Sequence, residues 1–134
     1  MTAQSQARSV VEQEGRYSEA PMKGATTIFQ GALVVMDAGL AVPGRTALNL
    51  VTIGIAEATV VNSGADGVRK ALARRGTFKF FNHGADAVTS AEIGKDCFIA
   101  DDQTVAKTNG TNTRSIAGKV VGVESDGVFV RVGY

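Results

Sequence analysis

From Thr26 onward the chain is a succession of short valine-rich runs, each stopped by glycine, asparagine or aspartate before it is long enough to sustain a helix. That punctuation, more than any single motif, restricts the fold to short strands joined by tight turns. The glycine content supports it: 16 glycines stand against two prolines, and there is no tryptophan. Several runs alternate with period two. In Leu50 to Ala56, Val51, Ile53 and Ile55 are separated by Thr52 and Gly54, the pattern of a strand with one buried face. A chain of 134 residues can bury a core without disulfides or a structural metal. The expectation is an all-β protein, a β-sandwich of jelly-roll type or a small barrel, with at most one or two short helical turns.

Ala32 to Met36 and Leu40 to Val42 read as a hairpin around Asp37-Ala38-Gly39, followed by a turn at Pro43-Gly44. Val60-Val61 is a further strand. Arg75 to Phe81 places Phe78 and Phe80 on one face and Thr77, Lys79 and Phe81 on the other, so this strand should be central or at an interface. Thr89-Ser90-Ala91-Glu92 has capping-box spacing, with Gly94 placed to end a single turn. Strands resume at Cys97 to Ala100 and Thr104 to Lys107. At the end of the chain, Asp126-Gly127 reads as a two-residue turn between Lys119 to Ser125 and Val128 to Val132. That register sets Val123 opposite Val130 and Val121 opposite Val132. No exact internal repeat is visible, and the recurrence of Gly64-Ala65-Asp66 as Gly84-Ala85-Asp86 reads as shared turn chemistry.

Residues 1–23 differ in character. They are polar and small, with only Val10, Val11 and Tyr17 to bury, and a short helix over Ser5 to Glu14 would have too thin an apolar stripe to dock. The expected organisation is a flexible arm over residues 1–23 and one β domain over residues 24–134.

The residues that carry chemistry are scarce. Cys97, the one cysteine, lies in the apolar run Cys97-Phe98-Ile99-Ala100 and reads as a small buried hydrophobe. His83, the one histidine, is a candidate base with Asp86 as its orienter, but no nucleophile stands in a recognisable motif, and a turn histidine is the simpler account. Adjacent Asp101 and Asp102 would point to opposite faces of a strand, so with Asp96 they make a poor cation site. The glycine-rich stretches Asn62 to Gly67 and Asn109 to Asn112 match no phosphate loop. Arg69, Lys70, Arg74 and Arg75 beside Phe78, Phe80 and Phe81 suggest single-strand nucleic-acid stacking, but a net charge of +1 offers no basic groove. The expectation is therefore a binding protein and not an enzyme, without catalytic, cofactor or metal residues and without nucleic-acid or membrane partners. The amino terminus has no basic-then-apolar signal pattern, which points to the cytosol or something assembled there.

Several stretches resemble one family. They are Gly31 to Val35 with Pro43-Gly44, Val51 to Glu57, Arg75 to Phe78, Asp101 to Ala106, and Ala117 to Val121 with Asp126-Gly127-Val128. Together they are similar to the small cement or head-decoration proteins of tailed phages, Mu-like phages included, over roughly residues 24–134. The resemblance implies a β subunit on the outer surface of a head shell, made in the cytoplasm of a host bacterium. Its implied partners are the major capsid protein, whose neighbouring subunits it bridges, and itself, as a dimer or trimer. An arm would suit such a role by adding a strand to a coat-protein sheet. The residues expected at a capsid or oligomer interface are Val10, Val11, Tyr17, Phe29, Arg74, Arg75, Phe81, Phe129 and Tyr134. The alternatives are a tail-associated virion component, a carbohydrate-binding module, and a small trimeric β-barrel enzyme of the dUTPase kind. Against the last two, the chain has no tryptophan and only two tyrosines, near its ends, to build the aromatic platforms of a carbohydrate site, and its C-terminus is a strand end where dUTPases have a glycine-rich arm.

Overall fold

In the computed structural model, residues 2–13 and 15–134 are described; Met1 and Glu14, and with them one end of the helix considered over Ser5 to Glu14, lie outside the described residues. The first half of the chain forms β1 (Tyr17–Pro21), β2 (Thr26–Ile28), β3 (Leu33–Asp37), β4 (Leu40–Pro43), β5 (Val51–Ala56), β6 (Val60–Asn62) and β7 (Lys70–Arg74). The second half forms β8 (Gly76–Asn82), a 3₁₀ turn (Ser90–Glu92), β9 (Asp96–Ile99), β10 (Thr104–Ala106), β11 (Ile116–Glu124) and β12 (Gly127–Val132). The protein is all-β, with a small barrel in its second half and sheets in its first. No helix among the described residues is long and apolar enough to cross a membrane.

The second half closes into a five-stranded barrel in the order β10-β8-β12-β11-β9, with β10 and β8 parallel and the other pairs antiparallel. The first half forms a five-stranded sheet in the order β1-β7-β5-β3-β4, and β2 and β6 pair separately. A parallel bridge from Met22, just past β1, to Ala41 in β4 brings the two edges of that sheet together.

The two halves share one plan. Numbering the five strands of each half in chain order gives 1-5-4-2-3 in both, with strands 3 and 1 meeting in parallel. The registers agree residue by residue. Tyr17 is opposite Arg74 as Thr77 is opposite Arg131. Leu33 is opposite Ile55 as Asp96 is opposite Lys119. Lys23 N–H donates to the Ala41 carbonyl as His83 N–H donates to that of Val105. The bulges correspond too: Ile53 in β5 and Ala117 in β11 are the unpaired residues opposite β3 and β9. Next to each bulge is a glycine against the following strand. A Cβ on Gly54 would stand 2.5 Å from the Arg74 carbonyl oxygen, and one on Gly118 still closer to that of Arg131. Gly24-Ala25 and Gly84-Ala85 fall at equivalent positions, so the repeated tripeptide seen in the sequence pairs the wrong copies.

Packing explains why the halves do not separate. Two apolar clusters form, one inside the first sheet (Met22, Ile28, Val34, Ala71, Ala73) and one filling the second barrel. The second also takes in Leu33, Val35, Val42 and Leu50 from the first half. Strand β3 is therefore buried on both faces, Val34 towards one cluster and Leu33 and Val35 towards the other, which accounts for its unbroken apolar run.

Two expectations need correction. The arm is shorter than residues 1–23: Tyr17–Pro21 pairs along its length with β7, and Met22 is fully buried, because Ala20 and Met22 supply the apolar positions that close the first sheet. The described residues of Ser5 to Gln13 form no helix, in keeping with their thin apolar stripe, and are exposed. The last hairpin exists but turns at Ser125-Asp126, with Glu124 opposite Gly127, Val123 opposite Val128 and Val120 opposite Val130 across a bulge. Gly127 is needed inside the strand, where a Cβ would meet the Phe80 carbonyl at 2.7 Å, and so is not available to the turn. The capping box does form: Glu92 accepts from the Thr89 N–H at 2.8 Å.

Candidate functional surface

The groups considered for catalysis are engaged in holding turns. His83 Nδ1 accepts from the Ala85 N–H at 3.2 Å. The Asp86 carboxylate accepts from the Thr108 hydroxyl at 2.5 Å and from Arg114 at 2.9 Å. Those contacts, the Thr108 hydrogen bond first, hold its carboxyl below the usual range. Asp101 accepts from the Gln103 N–H at 2.9 Å, an Asx turn, while burial raises the carboxyl of Asp102. Burial pushes the Cys97 thiol up to about 12. Among the described residues, no three histidine, cysteine or acidic side chains stand together as metal ligands would.

The candidate interface residues divide into two surfaces and a remainder. The first surface is a cleft at the seam between the halves. The loop before β3 carries Phe29, 64% exposed, and β8 carries Phe81, 59% exposed. Two adjoining hollows of about 330 and 400 Å³ share Gly31 and Gln103 and are walled by these rings. Backbone hydrogen bonds fix the wall, from Leu33 N–H to the Asp102 carbonyl and from Phe81 N–H to that of Gln103. Lys79 stands at one side, bonded to Asp126 at 2.6 Å and Glu124 at 3.0 Å, which raises its ammonium pKa. Its ammonium also lies 5.7 Å from the ring of Phe129, which is half-buried.

The second surface is a groove of about 560 Å³ where β5 meets β11. Thr52 Oγ1 donates to the Ile116 carbonyl at 3.0 Å across it. The equivalent ends of strand 4 from the two halves thus face one another. Val51, Ile116 and Tyr134 are exposed around the groove, and the guanidinium groups of Arg75 and Arg131 lie 5.0 and 4.0 Å from the Tyr134 ring.

The remaining candidates are not brought into either surface. Tyr17 is half-buried in β1, with Arg16 5.9 Å from its ring. Arg74 is occupied by Glu57 at 3.6 Å and by the Phe78 ring at 5.3 Å. Val10 and Val11 are exposed in the extended segment. Sequence reading missed Val51 because a bulge reverses side-chain parity, and missed Ile116 and Arg131 because only the fold brings them beside it. Ile53 and Ile55 are two residues apart yet pack against different clusters, so Val51 is not on the buried face that alternation assigns it.

Fold and surfaces together define an all-β protein of two like-built β units bearing two apolar-aromatic surfaces. No family model, curated protein or solved structure matches the chain.

Proposed function

We propose that the protein is a capsid cement or decoration protein, which binds the outer surface of a phage-type head shell and bridges neighbouring major capsid subunits. The reading rests on the family resemblance, and the observation that carries it furthest is the Phe29–Phe81 cleft. Two large apolar rings stand exposed on a backbone pinned by hydrogen bonds, ringed by amides and a paired lysine. A pre-ordered aromatic pair loses little side-chain freedom on docking, which suits a site that must hold on a static lattice. Binding only the assembled lattice, and not the free coat subunit, stabilises the shell by mass action.

The test is co-sedimentation with coat shells. The full chain is expected to sediment with expanded shells, and the Phe29→Ser, Phe81→Ser double variant to remain in the supernatant with an unchanged circular dichroism spectrum. Failure of the full chain to sediment overturns the capsid reading. Sedimentation of the double variant as strong as that of the full chain removes the cleft from it.

A further inference from the structure

We propose that the groove between β5 and β11 is the seat for the N-terminal segment of a second copy of this chain, and that two copies exchange these segments reciprocally. The inference does not depend on the capsid reading. It starts from residues 2–13, which carry no regular structure and leave Val10 and Val11 at 69% and 97% exposure. Adjacent valines that exposed are an anchor without a pocket. The groove is a pocket with apolar walls: Val51 at 62%, Ile116 at 49% and Tyr134 at 69% exposure surround it.

Charge matches as well. Val10-Val11 is followed by Glu12 and, in sequence, Glu14. The groove offers Arg131, which among the described residues contacts the Tyr134 ring and no carboxylate, and Lys119, bonded to Asp96 at 3.2 Å. A valine pair in the groove would bring the acidic residues towards that arginine.

Geometry selects a second copy. The segment leaves the body at Gly15-Arg16, where Arg75 Nε donates to the Gly15 carbonyl and Gln13 Nε2 to that of Tyr17 at 3.4 Å. The same Arg75 lies over Tyr134 at the groove's rim. Each copy therefore presents the root of its arm beside its own groove, and its own valines stay outside that groove. Two copies set groove to groove each give an arm and receive one, an isologous exchange that closes at the dimer. Twelve extended residues span about 40 Å, ample for that reach.

The experiment is mass measurement by light scattering and sedimentation equilibrium on the full chain, on a chain lacking residues 2–13, and on the Val11→Asp and Ile116→Asp variants. Circular dichroism confirms that each is folded. The full chain is expected to be a dimer, the truncated chain a monomer, and each point variant to raise the dimer dissociation constant by about tenfold or more. Disulfide trapping completes the assignment: Val11→Cys with Ile116→Cys, in a Cys97→Ala background, should cross-link between chains. A full chain that is monomeric, a truncated chain that stays dimeric, or an Ile116→Asp variant that dimerises like the full chain overturns the proposal. So does a cross-link found only within one chain. Loss of coat-shell binding without any change in mass on truncation would assign the arm to the shell and overturn it equally. Failure of the capsid reading would be seen in co-sedimentation alone and leave these outcomes standing.

Discussion

Gly54 and Gly118 carry the same burden at equivalent places: each lets strand 4 of its half approach the carbonyl of an arginine in strand 5. A methyl group there meets backbone and not a yielding side chain. Gly118→Ala is therefore expected to cost about 1–3 kcal/mol, the range for forced overpacking, measured by chemical denaturation. Gly84→Ala is the control, since a Cβ there meets nothing within 4 Å. It should stay within about 0.5 kcal/mol of the parent protein, and equal losses at both sites would remove the close-approach account. Cys97 gives a second residue-scale prediction. Its thiol is buried and keeps its proton up to about 12, against an ordinary value of 9.0. A group whose folded pKa is raised stabilises fully below the unfolded value, and that contribution is lost as pH rises through the window from 9.0 towards 12. Stability of the parent should fall more steeply above pH 9 than that of Cys97→Ala. A thiol reagent should label Cys97 only after denaturation, and rapid labelling of the native protein would show that the site opens.

At the scale of elements, β1 shows where sequence pattern ends and tertiary pairing begins. Tyr17–Pro21 contains a proline, a glutamate and a serine, and nothing in it alternates strongly enough to mark a strand. It is held by its whole-length pairing with β7 and by the burial of Ala20 and Met22. Removing residues 2–13 should leave the melting temperature unchanged apart from any effect of dimer loss, since those residues cover none of the core. Removing residues 2–22 should abolish the cooperative transition, because β7 loses its outer neighbour and the first cluster loses Met22. Near-identical melting of the two truncations would mean that β1 does not support the sheet. Elsewhere alternation and turn residues made strands legible: β3, β4, β5, β8 and β12 lie where valine runs and glycine stops place them. The three bulges were not legible, because an extra residue leaves composition unchanged while inverting every side chain beyond it. For the same reason Phe29, Phe81 and Tyr134 could be picked out as surface candidates one by one, whereas the grouping of Tyr134 with Val51 and Ile116 needed the fold.

The whole molecule is two similar barrel-like plans joined through one shared core, and its repeat is hidden because pairing geometry constrains backbone far more than side chains. The position filled by Leu33 and Ile55 in the first half is filled by Asp96 and Lys119 in the second, an apolar pair against an ion pair at 3.2 Å. The difference follows from surroundings. Leu33 must cover the second barrel, whereas Asp96 and Lys119 lie at the rim of the β5–β11 groove. This shared packing predicts cooperativity: the halves should unfold in one transition, with calorimetric and van't Hoff enthalpies equal, despite their separate hydrogen-bonded sheets. Leu33→Ala provides the sharper measurement. Leu33 is fully buried, belongs to a strand of the first half and packs in the cluster of the second, so its truncation should cost about 2–5 kcal/mol. If the halves are coupled, that loss lowers a single transition and speeds amide exchange in β8 and β12 as much as in β3 and β5. Two resolved transitions, or exchange that accelerates in the first half alone, would instead show that the halves stand independently and that the cluster around Leu33 only caps the second.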